Sequence, residues 1–342
     1  MIDAPLQACN TLGVASTAAR LVRIDSEAIL QELVVQRLRQ PAAARDPLTV
    51  LGGGSNVVLR SRLPGLVALM RLRGVRIDPL DDGMAHVTAA AGERWHDLVR
   101  RTLGGGWSGL ENLALIPGSV GAAPIQNIGA YGVELAERFV RLRALDVHSG
   151  RVVEFDRAAC RFGYRDSVFK HPQGEGLVIL DVTLTVQRHP SPRLDYPDVS
   201  AELSRLGLPR PTPVQVAEAV IRIRRGKLPD PRYIGNVGSF FKNPVVGAAA
   251  VERIRRLLPT LTAHPAPGGQ HKLSAAQLID ACGWKGRRIG SVGVWPRQPL
   301  VLCNLNGATG EQVLEVGDAI RQSVAERFGV ALAVEPQVLG EA

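Results

Sequence analysis

Two glycine-rich segments could bind an anionic, planar ligand through backbone groups. The first, Gly52-Gly53-Gly54-Ser55-Asn56, follows the apolar run 48–51. Consecutive glycines let the backbone approach a ligand without steric overlap from Cβ atoms, and their N–H groups can form a nest for an anion. No Lys-Ser/Thr pair follows, which excludes a Walker A loop, and the run 57–59 is typical of a strand rather than of the helix behind a GxGxxG motif. Phosphate binding and a plain glycine-rich hairpin both remain open.

The second glycine-rich segment covers residues 115–132 and is dominated by small side chains. Backbone donors and acceptors must therefore make most of its hydrogen bonds. A planar heteroaromatic ring that carries a pyrophosphate needs this kind of surface, with close backbone approach and little side-chain bulk. A purely structural loop is the alternative, and the presence of two such segments in one chain favours a ligand site.

Two further motifs carry side chains that could act in chemistry. The stretch 162–167 contains Tyr164-Arg165, and a guanidinium fork can hold a carboxylate through two hydrogen bonds, although such a pair also suits a surface ion pair. Ser239 stands between a glycine and Phe240-Phe241, apolar neighbours that can exclude water or simply belong to the core. There is no GxSxG motif, which argues against a serine hydrolase and leaves Ser239 as a proton donor or hydrogen-bonding group.

Composition narrows the class of protein. The net charge of +9 is dispersed, and the short basic clusters 222–227 and 285–288 suit a small polyanionic ligand as well as a nucleic acid. The cysteines form no CxxC pair and the histidines are scattered, so no metal site is expected. No apolar run approaches the ~20 residues of a membrane span, and the first residues do not resemble a signal peptide. These features predict a cytoplasmic protein of two or three domains that binds neither membrane nor metal.

Capping signals predict four helices. Ser26 precedes an apolar helical face, and Thr212/Gln215, Ser274/Gln277 and Thr309/Gln312 have capping-box spacing. Gly226, Gly283 and Gly329 are expected just beyond the ends of the last three helices.

Strands are predicted from apolar runs that turn residues separate. They are expected at 48–51, at 57–59, at 66–70 after a turn at Pro64-Gly65, in several short runs between 75 and 186, and at 332–338. The polar, proline-rich passage 189–213 is predicted to be a loop and a linker.

Taken in order, the motifs resemble those of UDP-N-acetylenolpyruvoylglucosamine reductases over residues 10–340. The resemblance is carried by the segments 51–56, 109–132, 162–167 and 238–244 and by Glu335-Pro336. It implies an α+β flavoprotein of three domains, with a vanillyl-alcohol-oxidase/PCMH-type FAD-binding fold and a C-terminal α+β substrate-binding domain. The implied FAD-binding subdomains are 1–72, to which a strand within 331–342 returns, and 73–210; the substrate-binding domain is 211–330.

The resemblance also implies the reaction. NADPH would reduce FAD, and hydride would pass to C3 of the enolpyruvyl ether of UDP-N-acetylglucosamine, giving UDP-N-acetylmuramate for peptidoglycan. This places the protein, as an expected monomer, in cell-wall biogenesis, cell shape, cell division and the cell cycle. Ser239 matches the proton donor to C2, Arg165 the group that holds the substrate carboxylate, and Glu335 the third catalytic residue.

The ligand contacts carry over from the same family. Those matched to FAD are Gly52, Gly53, Gly54, Ser55, Asn56, Gly118, Ser119, Gly121, Ala122, Gln126, Asn127, Gly129, Ala130, Tyr131 and Gly132. Those matched to the substrate or the nicotinamide cofactor are Tyr164, Tyr196, Lys227, Asn243 and Gln298. Relatives with the Tyr196 loop usually have Tyr-Gly-Asp. Here Pro197 fixes φ and removes an N–H, and the residues alone do not decide how the loop closes.

Two alternatives remain from the residues themselves. Another FAD oxidoreductase of the same fold could carry its flavin covalently, although no His or Cys beside the glycine segments is marked for such a bond. A basic nucleic-acid-binding protein would explain the charge but neither the glycine segments nor the Ser239 motif.

Overall fold

The computed structural model describes residues 1–80, 82–188 and 192–341. The chain forms two compact units, each assembled from separate stretches of sequence. Unit 1 consists of Met1–Ile2, Arg20–Gly53 and Gly65–Arg225. Unit 2 consists of Asp3–Ala19, Gly54–Pro64 and Gly226–Ala342. The division into domains 1–72, 73–210 and 211–330 stays a prediction.

Helices and strands are mixed along the chain. The α-helices are α1 (Glu27–Leu38), α2 (Trp95–Gly104), α3 (Pro197–Arg205), α4 (Pro213–Lys227), α5 (Ala248–Leu257), α6 (Ala275–Ala281) and α7 (Gly310–Phe328). The strands up to residue 134 are β1 (Ile2–Pro5), β2 (Thr17–Ile24), β3 (Leu48–Leu51), β4 (Val57–Leu59), β5 (Arg62–Met70), β6 (Val75–Pro79), β7 (Met84–Ala90), β8 (Gly129–Ala130) and β9 (Val133–Glu134). Those that follow are β10 (Phe139–Asp146), β11 (Val152–Asp156), β12 (Leu177–Gln187), β13 (Gly235–Ser239), β14 (Val245–Val246), β15 (Ala263–Ala266), β16 (Gln270–Leu273), β17 (Arg288–Ile289), β18 (Val292–Val294), β19 (Val301–Asn304) and β20 (Gln337–Leu339).

A five-stranded antiparallel sheet organises unit 1. Its order is β11-β10-β12-β7-β6, with β12 at the centre. Alternate residues of β7 are buried, as expected for a strand with one face on the core. Trp95 of α2 is 1% exposed and donates its indole N–H to the carbonyl of Leu113 at 3.0 Å, which ties the helix to the loop before the second glycine segment.

The first glycine segment follows strand β3, which belongs to a parallel pair of strands in unit 1. Strand β5 lies between β2 and β3, and β3 runs parallel to β5 with Leu51 beside Leu69. The chain enters Gly52 directly from the end of β3. In α/β arrangements, loops at the carboxyl ends of parallel strands are common ligand positions.

Unit 2 has its own sheets and helices. One sheet has the order β13-β19-β18-β17, another β14-β16-β15, and β20 pairs in parallel with β4. The buried face of α7 includes Val313, Ile320, Val324 and Phe328, which packs this helix into the core of unit 2.

The four predicted N-caps are confirmed, but the capping box expected at α6 does not form, because Oε1 of Gln277 accepts from the amide of Thr262 at 2.7 Å and the amide of Ser274 donates to the carbonyl of Thr262. The side chains of Ser26, Ser274 and Thr309 accept hydrogen bonds from the first turns of α1, α6 and α7, and Thr212 caps α4 in the same way. Gly329 ends α7 with a left-handed φ of 65°. Helix α4, however, includes Gly226 and ends at Lys227, so its predicted end is wrong.

Other predicted elements differ from the structure. The passage 189–213 is not entirely loop and linker, because α3 begins at Pro197; His189, Pro190 and Ser191 lie outside the described residues. The predicted turn at Pro64-Gly65 is also wrong, since β5 continues through both residues and Gly65 takes a φ of 68° within it. Helix α2 has no predicted counterpart. The extended segment 332–338 forms a ladder only at β20, with an isolated bridge at Val334.

Among the residues that the structure describes, no helix combines the length and the apolarity required to cross a lipid bilayer.

Candidate functional site

Within unit 1, the first two residues of the first glycine-rich segment meet the second segment. A Cβ on Gly52 would overlap Oγ of Ser119, and a Cβ on Gly53 would lie 2.9 Å from Cα of Gly118. Gly121 packs against Ala91 so closely that a Cβ would come 2.5 Å from that residue's own Cβ. A Cβ at any of these three glycines would overlap a neighbour, and the close approach of Gly52 and Gly53 to residues 118 and 119 brings the two segments together.

Asn127 fixes the second glycine segment to the turn that carries Arg165. Its side chain is 1% exposed and donates from Nδ2 to the carbonyl of Gly163 at 3.0 Å and to Oε2 of Glu134 at 2.9 Å. Its Oδ1 accepts from the amide of Ala136 at 3.0 Å. Asn127 itself has a φ of 43°, a left-handed conformation that asparagine tolerates better than most residues.

Arg165 stands at the tip of a tight turn. Gly163 and Asp166 exchange backbone hydrogen bonds, and Arg165 between them has a φ of 53°. Its Nη2 donates to the carbonyl of Gly129 at 2.6 Å, and its guanidinium lies 5.4 Å from the centroid of the Tyr164 ring. Left-handed backbone in a non-glycine residue costs roughly 1–3 kcal/mol and occurs often at functional sites.

Tyr131, a predicted cofactor contact, joins two other side chains of unit 1. Its ring packs edge-on against Tyr196, with centroids 5.3 Å apart, and its hydroxyl is hydrogen-bonded to Arg224. Burial raises the pKa of Tyr131 to about 12. Burial also lowers the pKa of Arg224, a shift to which the positive charge of Arg165 adds. The Nε of Arg224 is buried with no hydrogen-bond partner among the described residues.

Arg224 is a residue that sequence reasoning did not single out. The only signal was its place in the basic cluster 222–227, which suits a small polyanionic ligand. Two guanidinium groups, those of Arg165 and Arg224, therefore lie near Tyr131 in the same unit.

The structure shows how the Tyr196-Pro197 sequence is accommodated. Tyr196 is the N-cap of α3 and Pro197 occupies the first helical position, where a missing N–H breaks no hydrogen bond. Tyr196 is 39% exposed. Proline in place of glycine thus starts a helix directly behind the tyrosine.

Backbone hydrogen bonds join the segment after Ser239 to the segment that carries Glu335, both in unit 2. The amide of Glu335 donates to the carbonyl of Phe240 at 2.9 Å, and the amide of Lys242 donates to the carbonyl of Ala333 at 2.9 Å. Phe240 and Phe241 are 0% and 1% exposed and pack edge-to-face. Both rings therefore anchor the end of β13, at which Ser239 stands, in the core of unit 2.

The three residues of unit 2 predicted to contact the substrate or the nicotinamide cofactor also make hydrogen bonds to residues near them in the fold. Oδ1 of Asn243 accepts from the amide of Ala275 at 3.0 Å, at the start of α6. The carbonyl of Lys227, the last residue of α4, accepts from the indole N–H of Trp295 at 3.0 Å. Oε1 of Gln298 accepts from the amide of Leu300 at 3.4 Å.

The predicted site residues are thus distributed over both units. Unit 1 holds Gly52, Gly53, Gly118, Ser119, Gly121, Ala122, Gln126, Asn127, Gly129, Ala130, Tyr131, Gly132, Tyr164, Arg165 and Tyr196. Unit 2 holds Gly54, Ser55, Asn56, Lys227, Ser239, Asn243, Gln298 and Glu335. In unit 2, the carbonyl of Gly54 accepts from the amide of Thr11 at 2.9 Å, and a Cβ on Gly54 would overlap the carbonyl of Cys9.

Comparison with known families and proteins gives a consistent result over nearly the whole chain. A family model described as the C-terminal domain of UDP-N-acetylenolpyruvoylglucosamine reductase matches residues 230–339, and a model of an FAD binding domain matches residues 19–156. A UDP-N-acetylenolpyruvoylglucosamine reductase of Paraburkholderia phymatum is 50% identical over 339 residues, covering 98% of this chain and 97% of the relative. The enzyme of that name from an Azoarcus species is 51% identical over 340 residues, covering 98% and 96%.

A solved structure agrees with these relatives. The crystal structure of UDP-N-acetylenolpyruvylglucosamine reductase from Thermus caldophilus is 26% identical, covers 98% of both chains and has a TM-score of 0.65. The expected fold, α+β with an FAD-binding region and a distinct C-terminal domain, is confirmed.

Proposed function

Because the chain belongs to the UDP-N-acetylenolpyruvoylglucosamine reductase family, we propose that its glycine segments hold FAD and that Arg165, Ser239 and Glu335 carry the reaction. The protein is an FAD-containing oxidoreductase that uses NADPH to reduce the enolpyruvyl group of a UDP-sugar in peptidoglycan precursor synthesis. The roles of individual residues are the proposal.

The observation that carries the cofactor assignment is the contact of Gly52 and Gly53 with Gly118 and Ser119. A Cβ on Gly52 or Gly53 has no room at this junction, where the side chain of Ser119 packs directly against Gly52. A pyrophosphate and a flat ring require backbone amides and little bulk, and the junction fits that requirement. The chemistry that bound FAD supplies is the transfer of hydride from NADPH to C3 of the enolpyruvyl group.

Arg165 is proposed to hold the substrate carboxylate. Hydride addition at C3 leaves negative charge at C2 that spreads into the carboxylate, and a fixed guanidinium stabilises that charge more in the transition state than in the ground state. The hydrogen bond of Arg165 to the carbonyl of Gly129 and the constrained turn restrict its rotamers. The group is thereby oriented before substrate binds.

Ser239 is proposed to donate the proton to C2, and Glu335 to share in stabilising the charge there. A neutral serine hydroxyl is a weak acid, so its transfer depends on a developing carbanion and on exclusion of water. The backbone hydrogen bond between Glu335 and Phe240 places the glutamate beside the serine strand, which supports this pairing.

The remaining parts of the proposal concern ligands and setting. Tyr164, Tyr196, Lys227, Asn243 and Gln298 are proposed to contact the UDP portion or the nicotinamide cofactor. The protein is proposed to act as a cytoplasmic monomer, to bind no nucleic acid, and to support cell shape and division through the wall precursor it makes.

A spectrum and a coupled assay test the function directly. The purified protein is expected to show a flavin absorption band, and NADPH oxidation should depend on added enolpyruvyl-UDP-N-acetylglucosamine with one NADPH consumed per substrate. A colourless preparation that takes up no FAD would contradict the cofactor assignment. A flavoprotein whose NADPH oxidation ignores this substrate would contradict the reaction.

A further inference from the structure

We propose that Asn112 and Arg193 form a clasp that sets the position of Tyr196 against Tyr131, and thereby sets the affinity for the UDP-sugar. This inference rests on the proposed function of the same site. Asn112 lies within the segment 109–132 that carries the family resemblance, but neither Asn112 nor Arg193 is among the predicted catalytic or ligand-binding residues.

Asn112 is the buried half of the clasp. Its side chain is 2% exposed, and its single Nδ2 group donates to two backbone carbonyls, that of Tyr131 at 3.0 Å and that of Arg193 at 3.1 Å. One amide thus ties the second glycine segment to the chain that leads into Tyr196. No apolar or acidic side chain could serve both carbonyls, since neither offers two N–H donors.

Arg193 is the surface half of the clasp. Its guanidinium donates to the carbonyl of Gly132 and forms an ion pair with Glu137 at 3.0 Å. Glu137 is itself fixed, because its Oε1 accepts from the amide of Glu134 at 2.8 Å in a capping box. An isolated exposed ion pair is worth little, but here the guanidinium fork bridges a carboxylate and a carbonyl on one segment.

Tyr196 lies between the clasp and a helix. Three residues after Arg193 it becomes the N-cap of α3, and its ring meets that of Tyr131 edge-on at 5.3 Å. Leu194 packs against the core of unit 1 between them. The tyrosine is therefore held from both sides, by the clasp before it and by the helix that Pro197 starts behind it.

Because the clasp already holds the loop that carries Tyr196, substrate binding has to order that loop less. A loop that is already placed loses less conformational freedom on binding, which appears as tighter binding rather than as faster chemistry. Breaking the clasp should therefore raise the dissociation constant of the substrate and its KM, and should leave kcat nearly unchanged.

The test is a double-mutant cycle on substrate binding by the FAD-loaded enzyme. Enolpyruvyl-UDP-N-acetylglucosamine is titrated into oxidised enzyme without NADPH, and binding is followed by the change in flavin absorption. We expect Arg193→Ala to raise the dissociation constant about 3- to 10-fold, with the same change in KM and less than a twofold change in kcat. Arg193→Lys, which keeps the charge but not the fork, should give an intermediate value.

The second arm of the cycle uses Tyr196→Ala. In that background Arg193→Ala should have less than a twofold further effect, because there is no ring left to position. An equal effect of Arg193→Ala in both backgrounds, or no effect in either, would overturn the clasp.

Arg205→Ala is the matched control. This arginine is exposed, pairs with Glu202 on α3 at 2.7 Å and lies outside the clasp. It should leave the dissociation constant as in wild type; a rise equal to that of Arg193→Ala would mean that loss of any nearby surface charge is sufficient. Failure of the wild-type enzyme to use the substrate at all would instead refute the proposed function.

Discussion

Ser239 is the side chain whose role can be tested most sharply. Ser239→Ala is expected to leave reduction of the flavin by NADPH within about twofold of wild type, because hydride transfer from NADPH needs no proton from this hydroxyl. Reoxidation of the reduced flavin by the enolpyruvyl substrate should slow by about 10²–10⁴-fold, the usual contribution of a positioned proton donor. Stopped-flow absorbance separates the two half-reactions.

The control for Ser239→Ala is Ser239→Cys, which retains a proton donor at nearly the same place. It should recover part of the lost rate in the second half-reaction. If both half-reactions slow equally in Ser239→Ala, the serine supports the structure of β13 rather than the proton transfer. Thermal unfolding of each variant distinguishes a loss of fold from a loss of chemistry.

Single residues also show where sequence reasoning stops. The glycines at 52, 53 and 118 could be predicted to form a ligand surface, because only their missing Cβ atoms matter. The left-handed φ values of Tyr131 and Arg165 could not, since these residue types rarely adopt that conformation. They depend on hydrogen bonds between distant parts of the chain, such as that of Arg165 to Gly129.

At the scale of elements, the packing of α7 against Phe240, the residue that follows Ser239, can be tested by mutation. A Cβ on Gly317 would lie 2.7 Å from Cε1 of Phe240, whose ring is fully buried. Gly317→Ala should therefore lower the free energy of unfolding by about 1–3 kcal/mol, because the fixed ring cannot make room. This is opposite to the gain of roughly 0.5–1 kcal/mol expected when alanine replaces glycine in a helix.

Gly226→Ala is the control, because it also replaces a helical glycine by alanine but introduces no contact like that with the ring of Phe240. Gly226 lies in α4, and apart from its own helix no atom of the described residues comes within 4 Å of the added Cβ, so stability should rise by about 0.4–1 kcal/mol. Urea unfolding of both variants measures the difference. Equal effects of the two substitutions would show that Phe240 is free to shift.

Helices that begin with a capping residue could be predicted from the sequence, and helices without one could not. Thr309 and Gln312 mark the start of α7 by a capping box that forms as its spacing predicts. Pro197 was a misleading signal, since proline within a polar passage indicates a loop as readily as the first turn of a helix. Helix α2 begins at Trp95, and the side chain before it makes no capping hydrogen bond.

At the scale of the whole molecule, buried thiols predict a loss of stability at alkaline pH. Burial raises the pKa of Cys303 to about 12, and burial followed by the charge of Asp156 does the same for Cys160. An unfolded thiol ionises near pH 8.5–9, so the unfolded state is favoured as the pH rises from about 9 towards 12. Below pH 9 each thiol's contribution is fully present, and near pH 10.5 about 2 kcal/mol per thiol should be lost.

Cys303→Ala should make the free energy of unfolding fall less steeply between pH 8 and 10.5, as measured by urea unfolding with a reductant present. Val301→Ala, in the same strand and equally buried, is the control: it should lower stability at every pH without changing the slope. A Cys303→Ala slope identical to that of wild type would mean that this thiol does not ionise differently on unfolding.

The parallel pairing of β4 with β20 has a consequence for synthesis on the ribosome. Val57 pairs with Gln337, a strand partner translated 280 residues later (337 minus 57). At a translation rate of about 5–20 residues per second, β4 stays unpaired for on the order of ten seconds or more before β20 is synthesised. During that interval its unpaired N–H and C=O groups are available to other chains. The nascent protein should therefore be vulnerable to misassociation at this edge of β4 until β20 has been synthesised, and chaperones are expected to stay bound until then.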